Sequence, residues 1–174
     1  MKTVLITGGI ASGKSTVCRY LASKGFPVYD SDSRTKALYD SVPGLREKVE
    51  EAIGVPFDRI GIIFSDKEKR ESLEAVVYPE VLSDFENWRN SQSCGTVIFE
   101  SAVALEKETF RNVFDLTVCV KAPLEQRIGR NPKTVQRLSS QSAQQPETDI
   151  ILENDSTLEN LYRQIEEKLI CKLI

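Results

Sequence analysis

Short apolar runs rich in β-branched residues alternate along this chain with stretches in which apolar positions recur every three or four residues. Lys2 to Ile6 is the first run, short and rich in β-branched residues, and predicts a buried strand. From Lys14 the period changes: Val17, Cys18, Leu21 and Ala22 fall on one side of a helix that Gly25 closes. Phe26 to Tyr29 predicts a second strand, and Thr96 to Phe99, Leu116 to Val120 and Asp149 to Leu152 predict three more. Leu45, Val49, Ala52 and Ile53 mark another helix, with Pro43 near its start. Ser65-x-x-Glu68 and Ser156-x-x-Glu159 have the capping-box pattern. The second opens a final helix whose Leu158, Leu161, Tyr162, Ile165 and Leu169 form a stripe that reads as core.

Strands alternating with helices imply an α/β fold, here a five-stranded parallel sheet covered by helices on both faces. No convincing strand falls between Ser31 and Arg89, which predicts a helical insertion between the second and third strands. The expected organisation is one domain of 174 residues, with a core of 1–30 and 92–174 and an insertion of about 31–91. Ser139 to Gln145, rich in Ser and Gln, reads as a helix end and loop.

Net charge is −3, from 23 basic and 26 acidic residues, which argues against a nucleic-acid partner. No apolar run approaches the roughly 20 residues of a membrane helix. The apolar stretch after Met1 is too short and too soon interrupted for a signal peptide. Cys18, Cys94, Cys119 and Cys171 form no C-x-x-C pair, so they read as reduced thiols, mostly core filler, in a cytoplasmic protein. The chain has no histidine, which removes His-based acid/base chemistry, Ser-His-Asp triads and His metal ligands together.

Gly8-Gly9-Ile10-Ala11-Ser12-Gly13-Lys14-Ser15 fits G-x-x-x-x-G-K-[ST] and lies between a predicted strand and a predicted helix. In that setting the glycines let successive backbone N–H groups turn inward around a phosphate, and the helix points its positive end at the same anion. Lys14 adds a mobile cation for the β- and γ-phosphates, the Ser15 hydroxyl can ligate Mg²⁺, and Thr16 can bind phosphate through backbone and hydroxyl. The motif predicts the P-loop NTPase fold and ATP or a close relative as ligand.

The helix after Lys14 runs away from that loop for about 11 residues, near 16 Å. A parallel second strand returns over a similar distance and delivers Asp30 and Asp32 to the carboxyl edge of the sheet, where ligands of open α/β sheets bind. Asp32 there either accepts the proton of an attacking hydroxyl or, with Asp30 and Ser31, forms a turn and caps the next helix.

The run Thr7-Gly8-Gly9-Ile10-Ala11-Ser12-Gly13-Lys14-Ser15-Thr16-Val17, followed by Val28-Tyr29-Asp30-Ser31-Asp32, resembles dephospho-coenzyme A kinases, which read T-G-G-I-G-S-G-K-S-x-V and then V-x-D-A-D. The resemblance continues through Lys69-Arg70-x-x-Leu73, Tyr78-Pro79-x-Val81, Phe114-Asp115, Ala122-Pro123-x-Glu125-x-Arg127 and Asp149-Ile150-Ile151-Leu152-Glu153-Asn154. It implies ATP-dependent phosphorylation of the ribose 3′-hydroxyl of dephospho-CoA. It also implies Asp32 as catalytic acid/base beside Lys14 and Arg127, and Arg130 and Asn154 on the nucleotide. Lys36, Tyr78 and Glu106 would stand toward the acceptor, and Glu100 at a strand end near Mg²⁺. Partners would be ATP with Mg²⁺ and the small-molecule acceptor, on a monomer or weak homo-oligomer that engages neither nucleic acid nor membrane.

Two departures stand out. Tyr78 occupies a position where that family usually has His, and the segment from Arg127 to Asn154 is several residues shorter than usual. A short lid of about 127–145, carrying Arg127, Arg130 and Arg137 with Gln144 and Gln145 near a usually basic position, predicts a slow kinase. Two alternatives stay open from sequence: another small-molecule kinase of the same fold, and a nucleotide-binding protein with reduced or lost turnover. A GTPase reading rests on Asp58-Arg59-Ile60-Gly61 alone, without an N-K-x-D signature.

Overall fold

The computed structural model describes residues 1–132, 134–137 and 147–174. Five strands make one all-parallel sheet in the order β2-β3-β1-β4-β5. They are β1 (Lys2–Thr7), β2 (Val28–Asp30), β3 (Thr96–Glu100), β4 (Leu116–Lys121) and β5 (Ile150–Glu153). The P-loop α/β architecture expected from the sequence is the one observed. β1 is central because Val4, Leu5 and Ile6 can all be buried: side chains of successive strand residues enter opposite faces, and both faces are covered. On one face Val4, Ile6, Ile98, Val118, Val120 and Leu152 pack with Val17, Cys18 and Leu21 of α1 (Lys14–Ser23) and with Leu161 and Ile165 of α6 (Leu158–Ile165). On the other face Phe99 is fully buried and meets the rings of Tyr29, Phe110 and Phe114 at 5.2, 5.7 and 5.3 Å.

The chain divides into two compact units, Met1–Asp30 with Gln92–Ile174, and Ser31–Ser91. The second is helical: α2 (Ser31–Ser41), α3 (Leu45–Ile53), a 3-10 segment (Phe57–Ser65) and α4 (Lys67–Asn90). Within it Leu45, Val49 and Ile53 of α3 and Leu73, Val77, Val81 and Phe85 of α4 are buried, each set at helical spacing. Arg34 of α2 grips Asp84 of α4 through two hydrogen bonds of 2.8 and 2.6 Å.

Local details differ from the sequence expectations. The N-caps lie one residue later than the capping boxes suggest: Asp66 accepts from the Lys69 N–H and Thr157 from the Asn160 N–H. Ala22 and Ala52, placed on apolar faces by spacing, are exposed. Leu158 is also exposed, while Leu161, Ile165 and Leu169 carry the terminal stripe inward. β2 begins at Val28 rather than Phe26, and β5 at Ile150 rather than Asp149. Asp149 instead closes the strand end, accepting from the N–H and hydroxyl of Thr117 at 2.8 and 2.7 Å. Of the four cysteines Cys18 and Cys119 are buried, Cys94 is half-buried and Cys171 exposed, all as free thiols. Ser139 to Gln145, including Gln144 and Gln145, lies outside the described residues.

Candidate active site

The loop from Gly8 to Gly13 joins the carboxyl end of central β1 to α1, at the point where the chain's strand order reverses between β3 and β4. Its backbone needs its glycines. Gly8 has φ +138°, and a Cβ there would collide with the Val120 carbonyl, a backbone atom that cannot swing aside. Gly13 has φ +108°, and a Cβ there would strike the Asn154 carboxamide. Ala11 adopts the left-handed region at φ 58°, uncommon for a residue with a side chain. Such alternation of backbone hand is how consecutive N–H groups come to line a concave anion site.

Lys14 folds back over the loop, its Nζ donating to the carbonyls of Gly8 at 3.0 Å and Gly9 at 3.1 Å. Ser15, one residue along α1, donates its hydroxyl to Glu100 Oε1 at 2.7 Å. Glu100 ends β3 and stands in register with Ile6 of β1 on one side and Asp30 of β2 on the other. A hydroxyl and a carboxylate this close beside a phosphate loop are the hard oxygen donors that suit Mg²⁺. Thr16 continues the turn, its N–H bonded to the Gly13 carbonyl at 3.0 Å. Cys18, one turn beyond Lys14, has its thiol pushed far above the usual range, first by burial and then by the Glu100 carboxylate it bonds. It is an inert thiol.

Three side chains from outside the loop hold successive carbonyls of it. Arg127 Nε donates to Ile10 at 2.8 Å, Arg130 Nη1 to Ala11 at 3.3 Å, and Asn154 Nδ2 to Ser12 at 2.8 Å. Arg127 and Arg130 sit three residues apart on α5 (Leu124–Arg130), hence on one helix face. The Arg127 guanidinium lies so close over Gly9 that a Cβ there would overlap it. Gln126 ties the group together, accepting from Arg130 Nη2 at 3.0 Å and donating to the Asp155 carbonyl at 2.9 Å. Sequence reasoning did not single out Gln126; its spacing of four from Arg130 on a helix was the available signal.

The remaining candidates belong to other elements. Asp32 is the second residue of α2, in its first turn, where a carboxylate complements the helix dipole. Lys36 follows it by one turn and is exposed. Tyr78 lies on α4 in the same unit, with its phenol pushed well above its ordinary range by burial, by Glu74 one turn before it and by the charge of Asp32. Tyr78 is therefore a neutral donor in that unit. Glu106 closes a short 3-10 turn (Ala104–Glu106) and lines an open depression with Lys107, Phe110 and Phe114, in the sheet-containing unit.

Residues 4–150 match a family described as "AAA domain". Among curated proteins, a dephospho-CoA kinase of Porphyromonas gingivalis is 39% identical over 132 residues, 71% of this chain; the match spans 65% of that relative's length. A dephospho-CoA kinase of Thermus thermophilus is 34% identical over 94% of this chain and 88% of its own. Among solved structures, the crystal structure of TT1252 from Thermus thermophilus superposes with a TM-score of 0.81 at 31% identity, covering 99% of this chain and 98% of that one.

Proposed function

The chain belongs to the dephospho-CoA kinase family, and from that premise we propose that it transfers the γ-phosphoryl group of ATP to the ribose 3′-hydroxyl of dephospho-CoA, giving coenzyme A and ADP. The observation that carries the reading is the loop itself. Lys14, held 3.0 Å from the Gly8 carbonyl, and Ser15, bonded to Glu100, are the cation and hydroxyl that a phosphate chain with its metal requires, on a scaffold shared with named kinases of this substrate.

Phosphoryl transfer needs positioning and charge neutralisation more than covalent help. The loop N–H groups and Lys14 neutralise the phosphates; Lys14 exchanges two backbone carbonyls for phosphate oxygens, so its resting bonds keep it in place before ATP arrives. Ser15 and Glu100 are the residues that would hold Mg²⁺, which when bound withdraws charge from the β- and γ-phosphates. Arg127 and Arg130 add guanidinium charge beside the loop. Asp32 accepts the proton of the attacking 3′-hydroxyl. Its support is the order of the chain, for one residue separates it from Asp30, which pairs with Glu100 at the strand ends. Lys36, Tyr78 and Glu106 are assigned to acceptor binding by the same resemblance. The free thiols support assignment to the cytoplasm; among the described residues no helix is long and apolar enough to cross a membrane.

The test is ADP release measured by a coupled assay over a panel of dephospho-CoA, nucleosides, shikimate and sugars. Release with dephospho-CoA alone is expected. Equal or greater release with another acceptor would overturn the substrate assignment.

A further inference from the structure

The five consecutive carbonyls of the loop, from Gly8 to Ser12, all accept a side-chain hydrogen bond: two from Lys14, then one each from Arg127, Arg130 and Asn154. The last of these is the most constrained. Asn154 is itself fixed by its N–H, which donates to the Lys121 carbonyl at 2.7 Å and closes the last β4–β5 pair, Lys121 with Glu153. Its carbonyl accepts from Arg130 Nη2 at 3.4 Å. Its carboxamide nitrogen reaches Ser12 at 2.8 Å and lies where a Cβ on Gly13 would stand, so a side chain there would displace it.

The Ser12 carbonyl and the Gly13 N–H belong to one peptide plane. The Ser12–Gly13 peptide is trans, so the two groups point in opposite directions. A side chain that fixes the first therefore aims the second. Resting on the reading of this loop as the phosphate site, we propose that Asn154 is a positioning residue: it holds the Ser12–Gly13 peptide turned outward, so that the Gly13 N–H is aimed at the bound phosphate chain before the nucleotide arrives. Asn154 thereby acts on the phosphates through the backbone and makes no contribution through the base. The buried Ser12 hydroxyl agrees with this division of labour. Among the described residues it has no hydrogen-bond partner and so does not anchor the peptide, whereas the carboxamide of Asn154 does.

The two roles give different binding signatures. Asn154→Ala in the full chain is titrated with Mg-ATP and, separately, with Mg-tripolyphosphate, which has the phosphates and no adenosine. A positioning role weakens both ligands by the same factor, roughly three- to tenfold for the loss of one neutral hydrogen bond. Asn154→Gln restores the primary amide one methylene further out and recovers part of the loss for both. If ATP weakens while tripolyphosphate binds as before, Asn154 contacts the nucleoside and the proposal is wrong. If neither changes, it is equally wrong. Should Asn154→Ala melt below the assay temperature, Asn154→Leu keeps the shape, lacks the donor, adds no charge and is read the same way, with tripolyphosphate as the deciding ligand. The outcome is independent of the acceptor: a wild-type chain that binds tripolyphosphate yet gives no ADP with dephospho-CoA refutes the kinase assignment and leaves the positioning claim to stand or fall on its own titration.

Discussion

Gly13→Ala is the substitution whose cost can be worked most fully from the geometry. Two effects add. At φ +108° an alanine is held in a conformation L-residues rarely adopt, for about 1–3 kcal/mol. Its methyl also displaces the Asn154 carboxamide and forfeits the bond to Ser12, another 1 kcal/mol or so. The expected total of about 2–4 kcal/mol corresponds to a melting-temperature loss of roughly 5–15 °C for a chain of this size. Gly25→Ala supplies the control, because Gly25 also has positive φ, at +89°, but open space around its missing Cβ. It should show the backbone cost alone. The double substitution Gly13→Ala with Asn154→Ala removes the collision, so it should be less destabilised than the sum of the two single changes by about 1 kcal/mol. Thermal unfolding followed by circular dichroism compares the four variants with the wild type. Strict additivity in the cycle, or a Gly13→Ala variant no less stable than Gly25→Ala, would refute the claimed contact between Asn154 and the loop.

Three further outcomes are expected. Asp32→Asn should lower kcat by about 10²–10⁴-fold while ATP affinity stays within about twofold, since proton acceptance acts in the transition state; steady-state kinetics beside calorimetric ATP titration decides, and normal turnover would return Asp32 to helix capping. Cys18 should resist alkylation at pH 8 in the native protein while exposed Cys171 reacts, as peptide mapping after iodoacetamide would show, because burial and Glu100 hold the Cys18 thiol protonated; labelling of Cys18 at the rate of Cys171 would contradict this. Asp149, held below its ordinary value of 3.8 first by the Thr117 hydroxyl and then by the Thr117 N–H, stabilises the fold above that pH and loses the contribution as pH falls through its folded value. Asp149→Ala should therefore lower the melting temperature at pH 7 and converge on the wild type in acid, and a gap that persists unchanged in acid would argue that the carboxylate's charge is irrelevant.

The strand–loop–helix at the start of the chain was legible because its signal is local. Gly8, Gly13, Lys14 and Ser15 each carry chemistry in their own side chains, or in the lack of one, and β1 announces itself by three successive apolar residues, Val4, Leu5 and Ile6. The sheet's parallel character followed from alternation of elements, and the terminal stripe from Leu161, Ile165 and Leu169. Small apolar residues misled: Ala22 and Ala52 fit the helical spacing but cost little when exposed, so their position says nothing about the buried face. Asp66 and Thr157 took the caps from Ser65 and Ser156 because the choice among neighbouring cap-forming residues depends on where the preceding chain enters. The bonds of Arg127 to Ile10 and Asn154 to Ser12 span 117 and 142 residues and end on backbone carbonyls. A carbonyl has no identity in the sequence, so nothing there distinguishes an arginine that holds the loop from one that holds a nucleotide.

The most direct test of the central claim follows the γ-phosphoryl group itself. ATP labelled at the γ-phosphorus is turned over with dephospho-CoA, and the products are separated and the site of phosphorylation assigned by phosphorus NMR. The label is expected on the ribose 3′-oxygen of coenzyme A, one equivalent for each ADP formed. Label recovered as inorganic phosphate, or on any other acceptor position, would contradict it.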